Sequence, residues 1–119
     1  MTKDELYLKT IFCCIACDGD IATEEVNLVR NLCTKDNIFH NVDLEKLINS
    51  WISEINEQGG TFLQSYLNEL SSMALTETEQ LQLVSLAIKA IEIDNHVEYA
   101  EVKFFKKIRS ILTISDEAI

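Results

Sequence analysis

The chain has 119 residues, 47% of them hydrophobic, which suits one globular domain over residues 1–119 and is too short for two ordinary ones. Ten Lys and Arg against twenty Asp and Glu give a formal net charge of -10, which repels a phosphate backbone and argues against nucleic-acid binding. With no proline and three glycines, little interrupts long helices, so an all-α fold is expected.

The first element runs from Asp4 to about Cys17, where Leu8, Ile11, Phe12 and Ile15 follow helical spacing. Cys13, Cys14 and Ala16 widen its apolar stripe almost to a full circle, so its C-terminal half is expected to be deeply buried. Gly19 suits a helix C-terminus, and Thr23 can cap a second helix to about Thr34, with Val26, Val29, Leu32 and Cys33 inward. Asp43 caps a third helix whose stripe is Leu44, Leu47, Ile48, Trp51, Ile52 and Ile55, ended by Gly59-Gly60. A fourth helix follows from Phe62 to about Met73 with Phe62, Leu63, Tyr66, Leu67 and Leu70 on one side.

Thr76-Glu77-Thr78-Glu79 reads as a capping box opening a fifth helix to about Ile93. That helix carries two apolar stripes, one along Leu81, Val84, Ile88 and Ile91 and another along Leu83, Leu86, Ala87 and Ala90, and is expected to be central. A sixth, from Tyr99 to about Thr113, is expected to turn Val102, Phe105, Ile108 and Leu112 inward. Its Lys103, Lys106, Lys107 and Arg109 form the one basic cluster, which reads as a solvated face or as a dock for an acidic partner.

The longest apolar stretch, Ile11 to Cys17, is far below the roughly 18 to 20 residues of a membrane span. The N-terminal MTKDELYLKT has no signal-peptide pattern, so a cytoplasmic location and no membrane span are expected. Cys13, Cys14, Cys17 and Cys33 lie in helical apolar patterns, which suits reduced, packed thiols. No complete catalytic constellation can be read around them, or around His40 and His96, so no enzyme is expected.

The segment CDGDIATEE, Cys17 to Glu25, matches the back half of a calcium loop, with Gly19 at its sixth position and Glu25 at its twelfth. The front ligand positions fall on Cys14 and Ala16, inside an apolar run. An offset of 76 residues lays Asp18 on Asp94, Ile21 on Val97, Glu25 on Glu101 and Leu32 on Ile108. Gly19 falls on Asn95, another residue tolerant of the left-handed backbone region. Two helix-turn-helix units related this way can share one acidic cluster if their turns meet in space.

These features, D-G-x-I-x-x-x-E near the N-terminus and D-x-x-[IV]-x-x-x-E near the C-terminus, resemble the tellurite-resistance TerB family over nearly the whole chain. The second unit reads D-N-H-V where the family often has another D-G. The resemblance implies a compact all-α bundle of about six to seven helices with two pseudo-symmetric halves, also seen at the N-terminus of a DnaJ-like membrane-anchored co-chaperone. It implies a cytoplasmic module associated with stress response or tellurite resistance, without catalysis, whose partner is a divalent cation or a protein. Asp18, Asp20, Glu25, Asp94 and Glu101 are the candidate ligands, and oxygen donors of this kind suit Ca2+ or Mg2+. The alternative is a metal-free protein-interaction scaffold in which the same carboxylates only cap and order the turns.

Overall fold

The computed structural model describes residues 3–17, 23–36, 43–92 and 99–113. Among the described residues are six α-helices: α1 (Lys3–Ile15), α2 (Thr23–Asp36), α3 (Leu44–Gln58), α4 (Gly60–Ser72), α5 (Glu77–Glu92) and α6 (Tyr99–Ile111). No strand occurs among the described residues, so the all-α expectation holds. The 76-residue offset is visible in the helix bounds: it lays Thr23, the first residue of α2, on Tyr99, the first of α6, and places α1 inside α5.

Local chemistry starts and stops these helices where expected. The Asp43 carboxylate accepts from the Lys46 amide at 3.1 Å, occupying one of the free donors in the first turn of α3. At the α4–α5 junction the Thr76 amide donates to Glu79 Oε1 at 2.9 Å and the Glu79 amide to Thr76 Oγ1 at 3.2 Å, a complete capping box. Glu79 Oε2 is also paired with Lys3, and this ion pair, ahead of the cap itself, holds its carboxyl below the usual range.

Gly59 turns the chain from α3 into α4 at φ 59°, ψ -129°, a region that essentially only glycine occupies, and its amide donates to Ile55 O at 2.7 Å. Gly60 already belongs to α4, and a Cβ there would meet nothing within 4 Å. Opposite signs are therefore expected: Gly59→Ala costs about 1–2 kcal/mol, whereas Gly60→Ala is neutral or stabilises by about 0.5 kcal/mol. Urea denaturation of the two variants checks this pair, and an equal loss in both would contradict it.

Side-chain contacts fix the relative directions of α1, α4, α5 and α6. Lys9, Thr10 and Phe12 of α1 face Glu69, Tyr66 and Phe62 of α4, so rising numbers in one meet falling numbers in the other and the two are antiparallel. Lys3 and Tyr7 near the start of α1 both reach Glu79 near the start of α5, by an ion pair and by a hydrogen bond from Tyr7 Oη to Glu79 O at 3.3 Å. Gln80 at the start of α5 accepts from the amide of Thr113, just beyond α6, at 2.8 Å, so α6 returns against α5. Arg30, midway along α2, pairs with Glu45 in the first turn of α3 at 2.8 Å and ties the two helices together. Helices α1 and α5 therefore run one way and α4 and α6 the other, and α1, α3 and α5 end at the pole where α4 and α6 begin.

The central helix is α1. It contacts α2, α4, α5 and α6, most extensively α5, and every residue from Leu8 to Ala16 is buried. The expected burial of its C-terminal half extends back to Leu6. Helix α5 packs along it through Leu83, Leu86, Ala87 and Ala90 but keeps Gln82, Ser85 and Lys89 outside, so it is a flank of the core and not its centre. Helix α6 also departs from the expected stripe: Phe104 and Ile108 are buried, Phe105 and Leu112 are half-buried, and Val102 is exposed. The cause is that α6 lies on α4 and α1 as well as α5, with the Phe104 ring 6.0 Å from that of Tyr66.

Two polar groups of α1 are carried into this core, and both are satisfied. The Tyr66 hydroxyl lies 2.6 Å from Thr10 Oγ1, which itself donates to Leu6 O at 2.8 Å. Since Thr10 has one hydroxyl proton, Tyr66 is the donor of the shorter bond. Lys9 reaches Glu69 Oε1 and Oε2 at 3.0 and 3.1 Å and lies over the rings of Phe62 and Trp51, 4.9 and 5.8 Å from their centroids. Trp51 is a packing residue, as its place in the α3 stripe implies.

Candidate functional site

Three of the five sequence-predicted ligands, Asp18, Asp20 and Asp94, lie outside the described residues. The other two are placed: Glu25 is half-buried in the first turn of α2 and Glu101 half-buried in the first turn of α6. Burial pushes the Cys14 thiol far above its ordinary pKa, with the neighbouring Cys17 and the Glu101 carboxylate adding to the rise. Glu101 therefore lies near the last turn of α1, at the pole where Cys17 and Ala100 line one cleft. Among the described residues no group of three or more His, Cys, Asp or Glu is close enough to hold a metal ion.

The thiols divide by accessibility. Cys13 and Cys14 are buried, and burial first, then the thiols and carboxylates around them, raises both well above the ordinary value. Thiolates are the reactive form, so these two are inert in the folded protein. Cys17, one turn further on, is half-buried at the mouth of a cleft. With Cys33 replaced by serine, iodoacetamide is expected to modify Cys17 alone in the native protein, and Cys13 and Cys14 only after denaturation. Native labelling at all three, read by peptide mass, would contradict the burial of α1.

That cleft, about 290 Å³, runs down from the same pole between α4 and α6. Helix α4 contributes Gly60, Leu63, Gln64 and Leu67, which share one face at helical spacing. Helix α6 contributes Ala100, Lys103, Phe104 and Lys107 in the same register. Leu63, Leu67 and Phe104 form an apolar floor, and the two lysines stand on one wall a helical turn apart. A second hollow of about 210 Å³ lies at the opposite pole, where Gln80 holds Thr113.

The outward face of α6 continues the cleft wall. Tyr99 is 82% exposed and Val102 38%, the two exposed large hydrophobics among the described residues. At about 100° per residue they share roughly a third of the helix circumference with Lys103 and Lys106, and Lys107 borders it. Lys103, Lys106 and Lys107 are exposed and make no ion pair among the described residues, although the chain carries twenty carboxylates. Lys3, Lys9 and Arg30, by contrast, each hold a carboxylate. The basic cluster was visible in the sequence, but the cleft beside it depends on pairing α6 with α4, two elements that are not consecutive.

No described helix is long and apolar enough to cross a membrane. No family model matches the chain, and no curated protein or solved structure matches it either.

Proposed function

We propose that this chain is a non-enzymatic, TerB-like helical module that holds a partner protein on the outward face of α6 and the adjoining cleft. One observation carries the reading: among the described residues, an exposed tyrosine, an exposed valine and three lysines without an ion pair collect on a single helix beside an open groove. Aromatic residues such as the exposed tyrosine are enriched at protein interfaces, and the lysines beside it supply a charge that an acidic partner would complement. The core behind that face, with Phe104 on Tyr66 and Tyr66 on Thr10, makes it a rigid platform. The stress-response setting that the TerB resemblance implies fits an adaptor of this type.

Cross-linking tests this. A benzophenone amino acid placed at Tyr99 is expected to give one discrete protein adduct in cells that make the chain, and none when placed at Gln82 on the outer face of α5. Adducts of equal yield at both positions, or none at Tyr99, would contradict it.

A second reading, a divalent cation held by the acidic corners, is favoured by the convergence of the first turn of α6 on the end of α1. Were the two corners to meet, Asp18, Asp20 and Glu25 with Asp94 and Glu101 would offer the several oxygens that Ca2+ or Mg2+ takes. Such a ion would bind only the folded chain, so millimolar Ca2+ or Mg2+ is expected to raise the unfolding midpoint, and Glu25→Gln with Glu101→Gln to abolish the rise. A midpoint that neither ion moves removes the cation and leaves the docking face untouched.

A further inference from the structure

The geometry points to the class of partner: we infer that the α4–α6 cleft takes an acidic amphipathic helix of another protein. The inference rests on the reading of α6 as a docking face and adds the chemistry of the occupant. The groove is bounded by eight-residue stretches of α4 and α6, Gly60 to Leu67 and Ala100 to Lys107, about 10 Å or two helical turns long. Both helices run away from the same pole, so the groove between them is straight enough for a third helix to lie along it, as amphipathic helices do in apolar grooves.

The floor selects an apolar stripe, because Leu63, Leu67 and Phe104 offer no hydrogen-bonding side-chain atom to a ligand. The wall selects acid. Lys103 and Lys107 stand one turn apart, the spacing at which two carboxylates four residues apart on a facing helix meet them. Lys106 and the Tyr99 hydroxyl extend the same preference outward along α6.

The overall charge of -10 decides between acidic ligands of different size. A nucleic-acid duplex or an anionic bilayer presents charge over an area far larger than this patch, and meets the acidic remainder of the surface as well. A peptide helix of a few turns covers the patch alone. At physiological salt the screening length is about 8 Å, so the three lysines act on a ligand seated over them while more distant carboxylates are damped.

Fluorescence anisotropy with defined probes tests the inference. The first probe is a labelled helical peptide of about 15 residues with leucine along one face and glutamate flanking it. The controls are the same peptide with lysine for glutamate, a scrambled peptide of identical composition, phosphatidylserine vesicles and a short DNA duplex. The acidic striped peptide is expected to bind tightest, to weaken as salt rises, and to lose about tenfold or more in affinity with Lys103→Glu and Lys107→Glu together. Both side chains are exposed, and Lys103→Gln with Lys107→Gln provides a milder pair should the charge reversal disturb folding. Equal binding of the lysine or scrambled peptide, no effect of either lysine pair, or saturation by vesicles or DNA in place of the peptide would overturn it. If the peptide fails while the Tyr99 adduct persists, the docking face stands and only the acidic occupant is wrong.

Discussion

Phe12→Ala is expected to lower the free energy of unfolding by about 3–5 kcal/mol. Phe12 is fully buried in the central helix, and its ring lies 5.7 Å from that of Trp51 and 5.8 Å from that of Phe62, tilted at 56° and 70°. One side chain thus joins α1, α3 and α4, and its removal opens a cavity where three helices meet and ends two aromatic contacts worth about 0.5–1.5 kcal/mol each. Phe12→Leu, which keeps most of the volume, is expected to cost roughly half as much. Urea denaturation reads both as a shift in midpoint at constant slope. A loss below about 1 kcal/mol for the alanine variant, the size typical of unremarkable sites, would show that the three rings are not one packed unit.

The buried ion pair gives the second large effect, and it is asymmetric. Lys9 has a side chain only 7% exposed, whereas that of Glu69 is 36% exposed. Removing the carboxylate strands an ammonium among Trp51 and Phe62, while removing the ammonium leaves a carboxylate that water can reach. Glu69→Ala is therefore expected to destabilise by about 2–4 kcal/mol. Lys9→Met keeps the stem of the side chain over both rings and is expected to cost no more than about 1 kcal/mol. Thermal unfolding of the two single variants and the double variant checks this ordering. If Lys9→Met proved the worse of the two, the attraction within the pair would outweigh the cost of burying the lysine.

Local chemistry carried most of the fold into the sequence. The Asp43 cap, the Thr76–Glu79 box and the Gly59-Gly60 break each depend on residues within four positions of one another, and each lies where the spacing placed it. The inward face of α6 was misplaced toward Val102 because a helix with apolar residues at 102, 104, 105, 108, 111 and 112 allows more than one stripe. Which stripe is buried depends on α4, which lies more than thirty residues away. Lys9 was missed for a related reason. Its burial follows from a helix that is packed along its whole length from Leu8 to Ala16, but the carboxylate that makes burial tolerable is 60 residues distant.

The candidate site divides along the same line. The acidic repeat was legible as an offset between two short segments, and of its candidate ligands the structure describes Glu25 and Glu101, the latter near the end of α1. The basic residues of α6 were legible as a cluster. What no local pattern contains is the cleft, because Leu63 and Leu67 read as ordinary core residues until α6 is laid against them. A groove between non-consecutive helices exists only in the assembled fold.

The role of that groove can be read residue by residue. Amide chemical shifts of the isotope-labelled protein, followed while the acidic striped peptide is added, report where it binds. The shifts are expected to concentrate on Gly60 to Leu67 and Tyr99 to Lys107 and to leave the outer face of α5, Gln82 and Ser85, unmoved. Shifts centred on α5, or scattered over the surface without saturation, would contradict it.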